Sequence, residues 1–255
     1  MNATLERWRH EEEFHDQQAA ERASRLSNWK QLRFHDADYL DHESWIRPAF
    51  EKLGPLDGKT VLDYGCGHGM AAVVLARQGA EVTGFDLSGG YVAEAQCRAM
   101  ANEVTAQFVQ ANAESLPFEN ESFDAVWGSA ILHHLDLKQA GQELNRILKP
   151  GGIAVFCEPW GGNPLLEFGR RYLPYAGKDR TPDERPLRRG DLEPLREIFP
   201  QLEVQGFQLL GMAQRIFRRE YRSGHWLERI DGTLLSRQSW LENWCRYVVL
   251  TLRKS

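Results

Sequence analysis

Between residues 60 and 158 short apolar runs alternate with longer stretches whose apolar positions recur at helical spacing. The runs predict strands at 60–64, 81–86, about 106–110, 123–128 and 152–158, with helices at about 69–78, 89–101 and 138–148 between them. Strands separated by helices of ten or so residues imply right-handed βαβ units and a parallel sheet. The pattern breaks after Glu158 and resumes with a helix at about 190–199, a strand at 203–211 and a last strand from Arg246 to Arg253. Ahead of the alternation, residues 4–26 are rich in Glu, Gln, Arg and Ala and read as a surface helix. Tyr39, Trp45, Ile46 and Phe50 stand at helical spacing within a second helix over 39–53. The fold class is therefore α/β, a doubly wound Rossmann-like sheet with helices on both faces, in one domain of 255 residues. Residues 1–53 are read as N-terminal helices ahead of a core at 54–158, with insertions at 159–190 and 213–245 on the substrate side.

One loop narrows the chemistry. Val61-Leu62-Asp63-Tyr64-Gly65-Cys66-Gly67-His68-Gly69 runs an apolar strand into a glycine turn, where a ligand can approach bare backbone. About twenty residues later Asp86 ends the second strand. The two features describe a nucleoside-bearing cofactor at the carboxyl ends of parallel strands. A dinucleotide fingerprint needs a third glycine at its sixth position, and that position is Met70. Asp63 would repel a pyrophosphate, but it suits a cofactor with an ammonium and a sulfonium, as in S-adenosylmethionine.

At these residues the chain resembles the class I S-adenosylmethionine-dependent methyltransferases, over roughly 45–158. Four further stations agree in order: Asp86; Asn112-Ala113-Glu114-Ser115-Leu116-Pro117-Phe118; Phe123 to Trp127 with Leu132-His133-His134-Leu135; and Leu148-Lys149-Pro150-Gly151-Gly152. The last motifs resemble the group that includes ubiquinone and menaquinone biosynthesis methyltransferases. The resemblance implies a seven-stranded sheet whose last strand is antiparallel, and S-adenosylmethionine as cofactor. It implies cofactor-binding roles for Asp63, Gly65, Cys66, Gly67, Gly69, Asp86, Leu87, Asn112, Ala113, Glu114 and Ser129, with Asp86 on the ribose hydroxyls. Asn112 departs from the family's Asp, and its amide oxygen can still accept a proton from the adenine amino group. Trp8, Tyr39 and Trp45 resemble the helical cover over the cofactor, or simply pack.

Composition fits a cytoplasmic enzyme. The net charge is −5 with both signs mixed, which argues against a nucleic-acid partner. The four cysteines make no Cys-x-x-Cys pair or zinc spacing, and no carboxylate cluster suggests a metal. Met1 to His15 lacks the apolar segment of a signal peptide, and no stretch is long enough to span a membrane.

The acceptor side is less determined. From Pro159 to Arg229 there are 13 Lys plus Arg against 10 Asp plus Glu, interleaved with Trp160, Phe168, Tyr172, Tyr175, Phe217, Tyr221 and Trp226. This reads either as a lid for an aromatic or anionic small molecule, with Arg170-Arg171 and Arg188-Arg189 as the notable pairs, or as helical hairpins with a solvated basic face. Candidate proton acceptors are His133, His134 and Glu158 at strand exits. His133 and His134 have a structural alternative in helix capping or packing, and Glu158, on the acceptor side by position, could hold an amine or hydroxyl. His68 in the glycine loop is a further proton-acceptor candidate that reads more readily as packing beside the cofactor's methionine part. Cys157 is either a covalent nucleophile or, more readily, an apolar filler. The expected activity is methyl transfer to a small-molecule acceptor through oxygen, nitrogen, sulfur or carbon. A nucleic-acid or protein methyltransferase and a non-catalytic S-adenosylmethionine-binding protein are the alternatives. Trp127-Gly128-Ser129-Ala130-Ile131 lacks the Asn/Asp-Pro-Pro-Tyr segment of base-amino methyltransferases.

Overall fold

The computed structural model describes residues 2–26, 28–164, 166–168, 185–213 and 226–255. Seven strands form a single sheet: β1 (Thr60–Tyr64), β2 (Glu81–Asp86), β3 (Ala106–Gln110), β4 (Phe123–Ser129), β5 (Leu148–Pro159), β6 (Glu203–Phe207) and β7 (Tyr247–Arg253). Their order is β3-β2-β1-β4-β5-β7-β6. Pairings from β3 to β5 are parallel, and β7 runs antiparallel between β5 and β6. The chain winds outward from β1 to β3, then crosses back to lay β4 on the other side of β1. This topological switch opens a crevice at the carboxyl ends of β1 and β4, where doubly wound sheets bind ligands.

Strand alternation sends neighbouring residues to opposite layers. Val61, Val82, Trp127, Val155 and Val249 join a core with α2 (Asp36–Leu40), α3 (Ile46–Lys52) and α4 (Met70–Arg77). Leu62, Tyr64, Val126, Phe156 and Leu250 join the other, with α6 (Leu137–Ile147) and α7 (Glu193–Ile198). Ser88 caps α5 (Gly89–Ala101) by accepting from the Tyr91 amide at 3.1 Å. Asp136 caps α6 by accepting from the Lys138 and Gln139 amides.

Several boundaries move for identifiable reasons. The helix expected over 39–53 breaks into α2 and α3, because Pro48 lacks an amide proton and its ring clashes with the carbonyl four residues back. It therefore sits in the first turn of a new helix. β5 begins at Leu148 rather than 152, with a register shift between Phe123 and Ala125 of its partner β4. β6 stops at Phe207 instead of 211. Gln208 there adopts φ of 57° and turns inward, its amide nitrogen donating to Glu43 and its oxygen accepting from Arg246. In the second insertion lies α8 (Trp226–Arg237).

The N-terminal cover, α1 (Asn2–Ser24), lies against α5. It buries little apolar surface, and Ala19 is its one buried hydrophobic residue among those described. Polar pairs hold it instead. Arg22 donates to Glu94 at 3.0 and 3.2 Å, Gln18 accepts from the Tyr91 hydroxyl at 3.1 Å, and Asp16 accepts from the Ser88 hydroxyl and the Gly90 amide. No helix among the described residues is long and apolar enough to cross a membrane.

Candidate active site

A cavity of about 460 Å³ opens at the switch point, floored by β1, β2 and β4 and roofed by α1. The glycine turn shapes one wall. Gly67 adopts φ of 48°, and a Cβ built there would meet nothing within 4 Å, so its backbone faces open space. Gly69 adopts φ of 81° at the N-terminus of α4, where a Cβ would fall 2.7 Å from that of Ala95. Its role is close packing of α4 on α5, and it does not line the cavity. Gly65, Cys66, Asp63, Asp86, Leu87, Asn112, Ala113, Glu114 and Ser129 do line it.

The acids at the rim are held in distinct ways. Asp86 accepts from the Gly67 amide at 2.9 Å and the Ser88 amide at 3.0 Å, which ties the glycine turn to the end of β2. Burial raises its pKa, against the lowering pull of those amides and of His15. Asp63 is buried and its Oδ2 has no hydrogen-bond partner among the described residues. Burial, with Asp86 adding to it, pushes its carboxyl up to about 7 although the Ala72 amide donates to it. An orphaned buried carboxylate oxygen beside bare glycine backbone fits a cationic amino group, whose arrival would compensate the desolvated charge.

The loop after β3 is braced from below. The Asn112 side-chain oxygen accepts from the Glu114 amide at 2.8 Å, and the buried Tyr64 hydroxyl donates to the Ala113 carbonyl at 2.8 Å. Glu114 accepts from the Asp136 amide at 2.8 Å and pairs with Arg7 of α1, leaving its Oε2 without a partner among the described residues. Aromatic walls come from Trp8, Tyr39 and Trp127, with the Trp127 indole donating to the Tyr39 hydroxyl at 3.2 Å. Trp45 instead stacks on Tyr247, ring centroids 3.9 Å apart, away from the cavity.

The candidate proton acceptors separate. Glu158 faces no acceptor: it is fully buried and accepts from the Ile131 and Leu132 amides at 3.0 and 2.8 Å, and pairs with His133 Nδ1 at 2.8 Å. Its place inside the sheet exit corrects the expectation that it holds an amine or hydroxyl of the acceptor. His133 is likewise turned inward, with 4% of its side chain exposed, and does not line the cavity. Together they clamp the turn that presents His134 to the cavity. His68 also lines it, held neutral by burial and by Arg22 and Arg98, which push its pKa down to about 4. Burial raises the thiols of Cys66 and Cys157 well above their usual value, so neither is poised as a thiolate nucleophile.

Sequence reasoning set Trp8 of α1 over the cofactor but missed the helix's polar face. Arg7, Glu11, His15 and Gln18 line the cavity, and their spacing of three to four residues puts them on one helical face. A polar stripe of this kind reads as a solvated surface until its partner is seen. Tyr91, from the first turn of α5, was missed for the same reason. Of the insertions, Arg170-Arg171, Tyr172, Tyr175, Phe217 and Tyr221 lie outside the described residues. Arg188 pairs with Glu167 at 3.8 Å, and neither Arg188 nor Arg189 lines the cavity.

Sheet order and glycine turn make this a Rossmann-like methyltransferase fold, as the motifs implied. Residues 62–156 match the methyltransferase domain family. Demethylmenaquinone methyltransferase of Clavibacter sepedonicus is 38% identical over 115 residues, covering 45% of this chain and 46% of its own length. The ubiquinone biosynthesis O-methyltransferase of Alkalilimnicola ehrlichii is 41% identical over 106 residues, or 41% of this chain and 43% of that one. The chain thus spans about half the length of the curated relatives it matches. Among solved structures, the (4+2)-cyclase SpnF is 25% identical with a TM-score of 0.56, covering 84% of this chain and 83% of that one. An S-adenosylmethionine-dependent methyltransferase from Mesorhizobium loti, 18% identical with TM-score 0.56 over 84% of this chain and 100% of its own, shares the fold.

Proposed function

We propose that this protein transfers a methyl group from S-adenosylmethionine to a small-molecule acceptor. The observation that carries the reading is the pairing of Asp63 and Asp86 around the glycine turn, in a cavity sited at the switch point. Asp63 is assigned to the cofactor's ammonium, Asp86 to its ribose hydroxyls, and the Asn112–Glu114 loop to its adenine. When bound, S-adenosylmethionine supplies a methyl group on a sulfonium whose charge is lost as the carbon–sulfur bond breaks. The residues of this chain then have three tasks: to align the acceptor, to exclude water and to take up a proton where the acceptor carries one. Alignment alone is worth roughly 7–11 kcal/mol of barrier. The aromatic walls and the α1 roof serve exclusion, and His134 is the side chain placed to take the proton.

The cavity also bears on the acceptor. Its described lining holds four acids (Glu11, Asp63, Asp86 and Glu114), and its one arginine, Arg7, is paired with Glu114. With three of those acids assigned to the cofactor, what bears on the acceptor is that the described lining offers no unpaired arginine, which favours an uncharged acceptor over the anionic one considered from the sequence. The names of the two curated relatives, concerned with menaquinone and ubiquinone biosynthesis, support an aromatic acceptor. The similarity to the SpnF cyclase keeps a second reading in view, in which the same fold catalyses a reaction other than methylation.

A thermal melt with S-adenosylmethionine, S-adenosylhomocysteine or NAD tests the cofactor assignment. A ligand at one hundred times its Kd should stabilise the fold by about 2.7 kcal/mol, a rise of a few degrees. A response to NAD and none to the adenosyl ligands would reject it. Product formation from a labelled methyl donor across a panel of phenols, quinols and amines then separates methylation from other chemistry.

A further inference from the structure

The His134 ring meets the cover helix, not only the cavity. Its Nδ1 lies 3.4 Å from Glu11 Oε2. The same carboxylate oxygen lies 3.5 Å from His15 Nε2, one helical turn further along α1. The two imidazoles stand edge to face at 6.0 Å between centroids with Glu11 between them. On the other side, His134 contacts the His133 ring at 4.2 Å, and His133 is clamped by Glu158. The titratable groups that face the His134 ring are thus Glu11 and His15 from α1 and His133 from its own turn. Nε2 of His134 has no partner among the described residues, and its side chain lines the cavity.

We propose that Glu11 is a positioning residue for His134, so that the proton acceptor of this site is a Glu11–His134 pair completed by the N-terminal helix. The inference rests on the methyl-transfer reading. A carboxylate beside Nδ1 favours the tautomer with its proton on Nδ1, which leaves the Nε2 lone pair for the cavity. As an acceptor O–H or N–H atom takes the methyl group, its proton passes to Nε2 and the carbon–sulfur bonding pair stays on sulfur. The imidazolium formed is stabilised by the Glu11 charge. At 3.4 Å the contact is at the long end of hydrogen-bonding distance, within reach of a small ring rotation. Both histidines hold Glu11 well below the usual carboxylate range, so it remains charged and able to play this part. The composition of α1 agrees. A helix with one buried hydrophobic residue among those described, docked by polar pairs, contributes side chains to the cavity more than it contributes core.

The test reads the ring directly. The full chain is labelled with ¹⁵N-histidine, and His134 is assigned by loss of its signal in His134→Gln. Ring nitrogen shifts are followed against pH, free and with S-adenosylhomocysteine. His134 is expected in the Nδ1–H tautomer. Glu11→Ala should return it to the commoner Nε2–H form, whereas Glu11→Gln, whose amide oxygen can still accept from Nδ1–H, should keep the Nδ1–H form. An unchanged tautomer in Glu11→Ala, or the Nε2–H form in Glu11→Gln, overturns the pairing. Because the tautomer is read in the free protein too, a wild-type chain that fails to bind S-adenosylhomocysteine would reject the cofactor reading separately.

Discussion

Cofactor binding should lose strength as pH falls through 7, because Asp63 can hold an ammonium only as a carboxylate. In the free protein its carboxyl is pushed up to about 7 by burial and by the neighbouring charge of Asp86. Above that pH the carboxylate is formed and affinity is flat. Below it each bound ammonium must first displace a proton, so affinity falls tenfold per pH unit until the lowered pKa of the bound state is reached. At pH 5.5 the loss is about thirtyfold, or about 2 kcal/mol. Folding stability moves the other way. An acid whose folded pKa exceeds its unfolded value near 3.8 binds protons in the folded state first, so its contribution rises as pH falls from about 7 towards 3.8. Calorimetric titration with S-adenosylhomocysteine from pH 8 to 5.5, in buffers of different ionisation enthalpy, reads both the affinity and the proton released. A Kd constant across that range, with no proton exchanged near neutrality, would refute the assignment of Asp63. Asp63→Asn should bind weakly with no such dependence.

Other expectations follow from single contacts. Asp86→Ala should abolish S-adenosylhomocysteine binding by calorimetry, whereas His134→Ala should leave it intact and lower turnover once an acceptor is found. Glu158→Ala strands the Ile131 and Leu132 amides and His133 in a buried site, which should cost about 3 kcal/mol or more in urea unfolding. Gly67→Ala meets open space and should cost about 1 kcal/mol for its left-handed backbone. Gly69→Ala should cost clearly more in the same assay, since its Cβ would sit 2.7 Å from Ala95.

Much of the fold was legible because its signals are local. Asp63, the glycine turn and Asp86 lie within 24 residues of one another, and the core strands announce themselves as short, largely apolar runs between helical stretches. Strands β1 to β3 and helix α5 fall where the patterning puts them. The antiparallel β7 was carried by resemblance alone, since strand direction leaves no mark in composition. Glu158 misled for a physical reason: an acid at the end of a strand looks like a ligand for an acceptor. Only its three donors, two of them backbone amides, show that it is a buried clamp.

By itself the sequence determined the layer architecture, the switch-point crevice and the class of cofactor, because these depend on periodicity and on side chains near one another in the chain. Tertiary structure decided which groups share the cavity. Arg7 reaches Glu114 across 107 positions, and Glu11 reaches His134 from a helix whose polar face reads as a solvated surface. Those pairings follow from how α1 lies over the ends of the strands. No local pattern encodes that placement, since the helix is held by polar contacts made at its destination and not by an apolar stripe of its own.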